Sequence, residues 1–387
     1  MIERATMIHS VNAKAEILAS GLEITGSALK AYGKPNLCKR RAYGNADSLS
    51  IAASDIPQEM YIGDQRIICA ANFRPHSPWV LDFDDSAAFY VTNRITEQSL
   101  PVSFPQHPAY YDDVTEDGFR TASVVTLYGG GALGIFVYGD CSLVQMKKAC
   151  QYCSIEPNRK GSTEFLAMTS PSDVERAVER ALALDNGTIS QIMLNGGNLP
   201  DLDKSFGYYL KIAEAARRAV DRSGKELPIH LIAFPPSDLS LVKQLAGLNV
   251  DIAFNSEVHD DRLFEQYCPG KAVTGGKRLL NQALDVAVAS LGRGHVFSIF
   301  VGGLEPISSL CDGLEETAGR GVTPVINVFH PDPGTPLSAH PCPDSKSIIA
   351  MGLALQDIYQ KHSVLEPFYT GCGRNSIDSE AHQQLFR

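Results

Sequence analysis

The sequence predicts an α/β protein: a partial (β/α)6 barrel of the TIM type, with an irregular, partly β extension ahead of it. Three observations lead there. From about residue 129, strand-like apolar runs alternate with helix-like periodic segments six times, the pattern of a parallel sheet with helices outside it. Residues 1–128 show no such alternation. The first of the six runs empties into a loop that carries three cysteines, and loops at the carboxyl ends of parallel strands are where such sheets carry function. Six β-α units fit an open doubly wound sheet or a barrel; six rather than eight suggests an incomplete barrel.

In the extension, 1–128, short apolar runs such as 66–71 (RIICAA) and 88–92 (AFYVT) are broken by Pro, Gly and Asp and read as short strands. The stretch 101–108 (PVSFPQHP) is excluded from helix, because a residue ahead of proline is biased to extended backbone. Tyr110 to Gly118 reads as a turn-rich connector. In the barrel, 129–340, strands are expected at 133–138, 189–194, 229–234, 251–255, 296–301 and 324–329. Helices are expected between them at 171–184, 205–223, 238–246, 276–291 and 306–319. Ser170-Pro171 and Pro236-Ser237-Asp238 carry helix-start chemistry. Val174, Ala177, Val178, Ala181 and Leu182 make one apolar helix face. A last helix, 345–362, follows a Pro-rich loop, and 341–387 is expected to close the barrel.

Composition narrows the function. A formal charge of −10 argues against a nucleic-acid or anionic-membrane partner, and the basic runs Lys147-Lys148 and Lys39-Arg40-Arg41 are short. No apolar run reaches bilayer-spanning length. The first residues lack the apolar centre of a secretion signal, so a cytoplasmic location is expected. In that reducing compartment, clustered thiols read as metal-binding or catalytic. Six of the nine cysteines (Cys38, Cys69, Cys268, Cys311, Cys342, Cys372) are scattered and read as small buried hydrophobes.

The other three, Cys141, Cys150 and Cys153, stand in Cys-x8-Cys-x2-Cys spacing directly after the first barrel strand. Thiolates bind soft metals and iron–sulfur clusters. A structural zinc site closes with four ligands. Residues 139–157 contain no histidine, and Asp140 is the only carboxylate before Glu156. Three thiols without a fourth partner leave a coordination position open, as a catalytic site needs. The competing reading is a non-catalytic barrel holding zinc or a sensing cluster, and it requires a fourth protein ligand.

This stretch resembles the radical S-adenosylmethionine (SAM) superfamily, and within it the biotin-synthase-like group. Its members hold a [4Fe-4S] cluster by three cysteines on the loop after the first barrel strand, and the fourth iron chelates the amino and carboxylate groups of SAM. Cys150-Gln151-Tyr152-Cys153 is similar to the family's Cys-x-aromatic-Cys, which implies that Tyr152 lies by the adenine. The first gap departs from the family: eight residues stand here where most members have three. Asn195-Gly196-Gly197-Asn198 stands where the family has a Gly-Gly-Glu-like motif, with Asn198 in place of the acid. Phe254-Asn255-Ser256-Glu257 resembles the polar strand end that meets the cofactor's ribose or methionine part. Ser298 to Glu305 resembles the Gly-x-Ile-x-Gly-x-x-Glu adenine motif, with Ser298 and Phe300 replacing its first Gly and its Ile. Asn327 to Leu337 resembles the Pro-Gly-Thr-Pro-Leu loop. The long gap, with the Tyr111-to-Gly118 stretch, is also similar to a radical enzyme family encoded beside nitrilases in bacteria.

The resemblance spans about 130–340. It implies cluster ligands Cys141, Cys150 and Cys153, and cofactor-side residues Tyr152, Gly196, Gly197, Asn198, Asn255, Glu257 and Glu305. It implies an oxygen-sensitive enzyme that cleaves SAM reductively to a 5'-deoxyadenosyl radical, which takes hydrogen from a small-molecule substrate. Rearrangement, carbon–carbon bond formation and sulfur insertion all stay open, although sulfur insertion usually wants a second cluster. An electron donor such as flavodoxin or ferredoxin is implied as partner. Plainer readings stand beside these: Tyr152 as packing, 195–198 as a turn, Glu257 and Glu305 as helix-start carboxylates. Candidates for substrate chemistry are His330 and Asp332 at the sixth strand end, and Cys372 among glycines as a hydrogen-atom donor or a structural thiol. Arg293 reads as a carboxylate binder or a surface turn.

Overall fold

The computed structural model describes residues 2–33, 35–37, 57–64, 66–84, 86–161 and 167–386. Cys38 and the basic run 39–41 lie outside the described residues. The chain begins with helix α1 (Ile2–Ser20). Strand β1 (Glu23–Ile24) and helix α2 (Gly26–Ala31) follow. Thr25 caps α2 by accepting from the Ala28 amide at 3.1 Å, the usual way an orphan helix donor is satisfied. Strands β2 (Glu59–Ile62), β3 (Ile67–Ala70), β4 (Trp79–Phe83), β5 (Phe89–Asn93) and β6 (Ser99–Ser103) complete a six-stranded sheet in the order β1-β4-β5-β6-β2-β3. The extension is therefore partly β, as expected, but better ordered than its broken apolar runs suggest. Its strands are only two to five residues long, so Pro and Gly punctuate them without ending the sheet.

The second sheet has seven strands, ordered β13-β12-β11-β10-β9-β8-β7. Strand β7 (Val125–Tyr128) pairs antiparallel with β8 (Ala132–Phe136) through a turn of three glycines. From β8 onward every neighbour is parallel. Two short helices, α3 (Ser142–Gln145) and α4 (Ile155–Gly161), come next, followed by α5 (Pro171–Leu184). Then alternate β9 (Gln191–Asn195), α6 (Leu202–Ser223), β10 (Ile229–Ile232), a 3-10 helix (Leu239–Gly247) and β11 (Asp251–Ala253). Helices α7 (Asp261–Tyr267), α8 (Pro269–Val273) and α9 (Gly276–Leu291) precede β12 (Val296–Gly302), α10 (Ile307–Gly319) and β13 (Thr323–Val328). Helices α11 (Ser345–His362) and α12 (Asp378–His382) close the chain.

Strand order equals chain order from β8 to β13. Successive right-handed crossovers then place the helices on one side, which makes a half-barrel and rules out the doubly wound alternative. Side-chain alternation agrees. Leu133, Ile135, Ile192, Leu194, Ile229, Leu231, Ile252 and Phe254 face a core shared with α5, α6 and α9. Phe206 and Phe254 lie 6.0 Å apart in it, both fully buried, and each such ring contributes about 1.5–3 kcal/mol. The opposite, concave face carries Ala132, Met193, Ala253, Phe297, Ile299 and Val325. Phe300, Ile326 and Val328 join β12 and β13 to α1, α10 and α11.

The concave face is not empty. Phe368, Tyr369 and Cys372 from the C-terminal tail pack onto it. The tail then pairs with the exposed edge of β13: the Val328 amide donates to Asn375 O at 2.9 Å and the Ile377 amide to Ile326 O at 3.2 Å. Two buried ion pairs pin it to the extension, Arg374–Glu59 at 2.9 Å and Lys14–Glu380 at 2.6 Å.

Candidate functional site

The three loop cysteines gather at the carboxyl end of β8. Cys141 precedes α3 as its N-cap residue. Its thiol donates to Asn198 Oδ1 at 2.9 Å, and the Asn198 amide group reaches Ser142 Oγ at 3.1 Å. The Ser142 amide in turn donates to Asn198 O at 2.8 Å. The strand end after β9 is thus laced to the cysteine loop. Gly197 is what lets them meet: a Cβ there would lie 1.8 Å from Asp140 O. Gly196, at φ 148°, is backed onto Tyr138. Gly196, Gly197 and Asn198 therefore touch the cysteine loop directly.

Cys150 and Cys153 follow in one tight turn, closed by the Cys153 amide donating to Cys150 O at 3.0 Å. Burial pushes the Cys153 thiol up to about 12, with Cys150 and Cys141 adding to the shift. Cys141 is raised for the same first reason, and the charge of Cys150 contributes. Cys150 is the exception in sign. A hydrogen bond from Cys268 lowers its pKa against the opposing effect of burial, and nearby Lys271 helps.

Cys268 is the residue that the sequence does not mark out. It is fully buried, lies 3.4 Å from the Tyr152 hydroxyl, and holds the Cys150 thiol below its ordinary value. Spacing alone predicts no fourth thiol partner for the loop; packing supplies one 118 residues further along the chain from Cys150. No local pattern signals it, because α7 and α8 carry it in from beyond β11. Tyr152 itself is partly buried against the core. Among the described residues, no three His, Cys, Asp or Glu side chains converge closely enough to hold a single metal ion.

Glu257 lies behind this cluster. It is a buried carboxylate with φ +64°, a left-handed conformation that costs a non-glycine residue about 1–3 kcal/mol and concentrates at functional sites. Its backbone is held by β12, the Glu257 amide donating to Ile299 O at 2.9 Å and its carbonyl accepting from Val301 at 2.8 Å. Its side chain is ion-paired to Lys271. Burial pulls the Lys271 pKa down, but the attraction of Glu257 outweighs it and holds the ammonium charged. Asn255, two residues earlier, has a buried Oδ1 with no hydrogen-bond partner, and so has Asn327 on β13. Buried acceptors of this kind ordinarily have a donor.

Glu305 and Cys372 lie elsewhere. Both Glu305 oxygens are engaged, Oε1 by the His259 amide at 2.8 Å and Oε2 by the Asp260 amide at 3.0 Å and Ser309 Oγ at 2.6 Å. It ties the start of α7 to the start of α10. Cys372 is at the other end of the sheet, its thiol donating to Gln191 Oε1 at 3.3 Å at the first residue of β9. The structure does not bring it to the cysteine loop. Arg293 is exposed in the turn after α9 and reaches His362 O at 3.4 Å.

His330 and Asp332 follow β13 and contact each other, His330 Nδ1 to Asp332 Oδ1 at 3.1 Å. They line a cavity of about 480 Å³ together with Asn72, Phe73 and Arg74 from the extension. Its loop abuts the cysteine loop, with the Leu337 amide donating to Gln151 O at 3.2 Å and Gly334 packed beside Pro157. Arg74 is exposed, and its guanidinium lies 3.6 Å from Cys342 Sγ. Neither the extension's contribution nor Arg74 is visible in local sequence.

No family model matches the chain. The bacteriochlorophyllide c C-7(1)-hydroxylase of Chlorobaculum limnaeum is 30% identical over 235 residues, 58% of this chain. The chain likewise spans 58% of that relative's length. Among solved structures, the FeFe-hydrogenase maturase HydG of Carboxydothermus hydrogenoformans has a TM-score of 0.42 at 19% identity, covering 61% of this chain and 53% of its own. Methylornithine synthase (PylB) has a TM-score of 0.43 at 15% identity, covering 64% and 71%. A radical SAM methyltransferase of Sphaerobacter thermophilus has a TM-score of 0.43 at 15% identity, covering 78% and 82%. Over part of its length, the chain is similar to enzymes that include a radical SAM methyltransferase.

Proposed function

We propose that the chain is a radical SAM enzyme acting on a small polar molecule. The observation that carries this reading is the cysteine loop: three thiols on the loop at the carboxyl end of the first parallel strand, laced to the end of the second by Asn198. The donor set fits the group. A single ion would need the sulfurs to converge, whereas a cuboidal cluster takes each on a different corner. The orphaned acceptors Asn255 Oδ1, just after β11, and Asn327 Oδ1, on β13, suit the amino and hydroxyl donors of SAM.

When bound, the cluster and SAM supply one-electron chemistry that yields a hydrogen-abstracting 5'-deoxyadenosyl radical. The chain's own residues do the rest. Cys141, Cys150 and Cys153 hold the iron, and Asn198 orients Cys141. Asn255 and Asn327 receive donor groups of the cofactor. Glu257 with Lys271 keeps a neutralised charge pair beside Cys150. The cavity beside His330, Asp332 and Arg74 receives the substrate, and its volume falls in the range of small-ligand pockets. That the curated relative is a hydroxylase supports activation of an unreactive carbon–hydrogen bond.

Cys268, buried beside the Tyr152 hydroxyl, favours one second reading, a non-catalytic iron–sulfur cluster with four thiol ligands and no room for SAM. Anaerobic reconstitution with iron and sulfide separates the two. The first reading expects 5'-deoxyadenosine after dithionite and SAM are added. It also expects Cys150→Ala to lose the cluster and Cys268→Ala to keep it. A full cluster that never cleaves SAM, or loss of iron in Cys268→Ala, refutes it.

A further inference from the structure

The cavity beside His330 lies between the extension and the half-barrel. Leu18 and Gly21 at the end of α1, with the segment 72–74 beyond β3, form one wall; the loop from His330 to Cys342 forms the other. The first wall is fixed by its backbone. The Leu22 amide donates to Asn72 O at 2.8 Å and the Arg74 amide to Leu22 O at 2.9 Å, a parallel bridge that brackets the buried Phe73. Gly21, at φ +77°, lets the two segments touch, since a Cβ there would lie 2.6 Å from Arg74 Cβ. Ser77 Oγ donates to Gly21 O at 2.7 Å and closes the turn. Arg74 therefore rises from a rigid base, and only its side chain can swing.

The second wall is folded on itself, with Asp332 O accepting from the Thr335 amide at 3.3 Å and from Thr335 Oγ1 at 2.7 Å. Asp332 Oδ1 engages His330 Nδ1 at 3.1 Å, which orients the ring and leaves Nε2 to a ligand. Charge in this lining does not balance. His330 answers Asp332, whereas Arg74 has no carboxylate partner among the described residues. Its guanidinium meets Cys342 Sγ at 3.6 Å, a weak acceptor. Other arginines that reach between segments find a carboxylate: Arg94 with Glu23, Arg180 with Asp113, Arg374 with Glu59. On a chain of formal charge −10, a pinned cation in a cavity wall without a counter-charge calls for an anion from outside. The planar fork of one arginine matches the two oxygens of a carboxylate. Among the described residues, no lysine or second arginine lines the cavity to balance the second charge of a phosphate.

We propose that the cavity binds a small carboxylic acid, its carboxylate held by the Arg74 guanidinium and a donor group of the same molecule by His330 Nε2. Calling that acid the substrate rests on the radical SAM reading above, and the proposal narrows its class. The opposite side of the His330 loop abuts the cysteine loop at Gln151 and Pro157, so an acid anchored at Arg74 is held in the cavity that adjoins the cluster ligands.

Cys342 reports on this site, because its sulfur lies beside the guanidinium. The probes are iodoacetate and its uncharged counterpart iodoacetamide, applied without oxygen to the reconstituted, iron-replete protein, with alkylation of Cys342 followed by peptide mass spectrometry. In either reaction sulfur bonds to the methylene carbon, iodide leaves and the thiol proton passes to solvent. Iodoacetate should label Cys342 at least ~10-fold faster than iodoacetamide, because the guanidinium concentrates the anion. Propionate should protect the thiol and propionamide should not. Arg74→Met should bring the ratio of the two rates down to that of mercaptoethanol; a ratio cancels any change in the thiol's own reactivity. Arg74→Lys should restore only part of it, since an ammonium keeps the charge without the fork. An unchanged ratio in Arg74→Met with the parent's melting point overturns the proposal, as does protection by inorganic phosphate at lower concentration than by propionate. The cluster reading is tested apart, by 5'-deoxyadenosine. Labelling as expected without SAM cleavage keeps the acid site and removes the radical reaction; SAM cleavage with no Arg74-dependent ratio does the reverse.

Discussion

Gly197→Ala isolates what holds the cysteine loop in place. The new methyl would lie 1.8 Å from Asp140 O, 2.6 Å from its carbonyl carbon and 2.8 Å from Cys141 Cα. All three are backbone atoms, so no side-chain rotation relieves the overlap. Carbon and oxygen that close must separate by more than about 1 Å to reach contact distance. Gly197 cannot supply the movement cheaply. Its amide is bound to Tyr138 O at 2.9 Å, and its carbonyl accepts from the buried Tyr209 hydroxyl at 2.8 Å. The cysteine loop must yield, and Cys141 with it. Metal–ligand distances tolerate only about 0.2 Å, so the displacement is several times what an iron ligand can absorb. Overpacking of this kind costs about 1–3 kcal/mol in stability, well short of unfolding a chain this size. The expected result is a folded protein with a melting point a few degrees lower and most of its reconstituted iron lost. Gly207→Ala is the control. Gly207 lies inside α6, and a methyl added there meets nothing within 4 Å, so alanine should add about 0.5–1 kcal/mol and leave iron content alone. Wild-type iron per chain in Gly197→Ala would refute the reasoning.

Two further perturbations probe the frame around the site. Lys14→Met strands the buried Glu380 carboxylate and leaves the Gly373 and Ser376 carbonyls without their shared donor. Breaking a buried pair from one side costs about 3–5 kcal/mol; thermal melts and limited proteolysis should show lower stability and a C-terminal tail cut first, and an intact tail would count against the pinning role. His230 is buried between Phe297 and Phe368, and burial lowers its pKa to about 4. The unfolded chain takes up that proton near pH 6.5 while the native one resists to about pH 4, so stability falls on acidification across this window by about 3 kcal/mol. Asp378, raised to about 6 by burial, acts in the opposite sense between its unfolded and folded values. The informative measurement is therefore a difference: denaturant melts of His230→Leu should lose less stability than the parent between pH 6.5 and 4, and parallel curves would exclude the histidine.

The barrel was largely legible because its signals are local. Helices α5, α9 and α11 have the bounds read from periodicity and caps, with Ser170 accepting from the Asp173 amide at 3.1 Å and Asp344 from Ser347 at 2.7 Å. Strand ends moved by a residue or two. Helix α1 left no trace of that kind. Val11, Ala13, Ala15, Ile17 and Leu18 are all buried, packed between the first sheet and α11, so no single stripe marks it. The six strands of the extension are too short for alternation to register. At the site, the three clustered cysteines announced themselves, while Cys268 and Arg74 did not. Both arrive by tertiary packing of segments that spacing cannot connect. Cys372 shows the reverse: its glycine-rich surroundings are conspicuous in sequence, yet the tail lays it at the amino ends of the strands.

The tail also dictates when the fold can be finished. Lys14 and Glu380 are separated by 366 residues, and Glu59 and Arg374 by 315. The buried ammonium on α1 is satisfied only by groups far away in sequence. Such long-range contacts close late, and domains of emerging chains fold ahead of them. The edge of β13 and the concave face consequently stay open until those contacts close. The half-barrel is thus the earlier unit of the fold, and its floor is laid last.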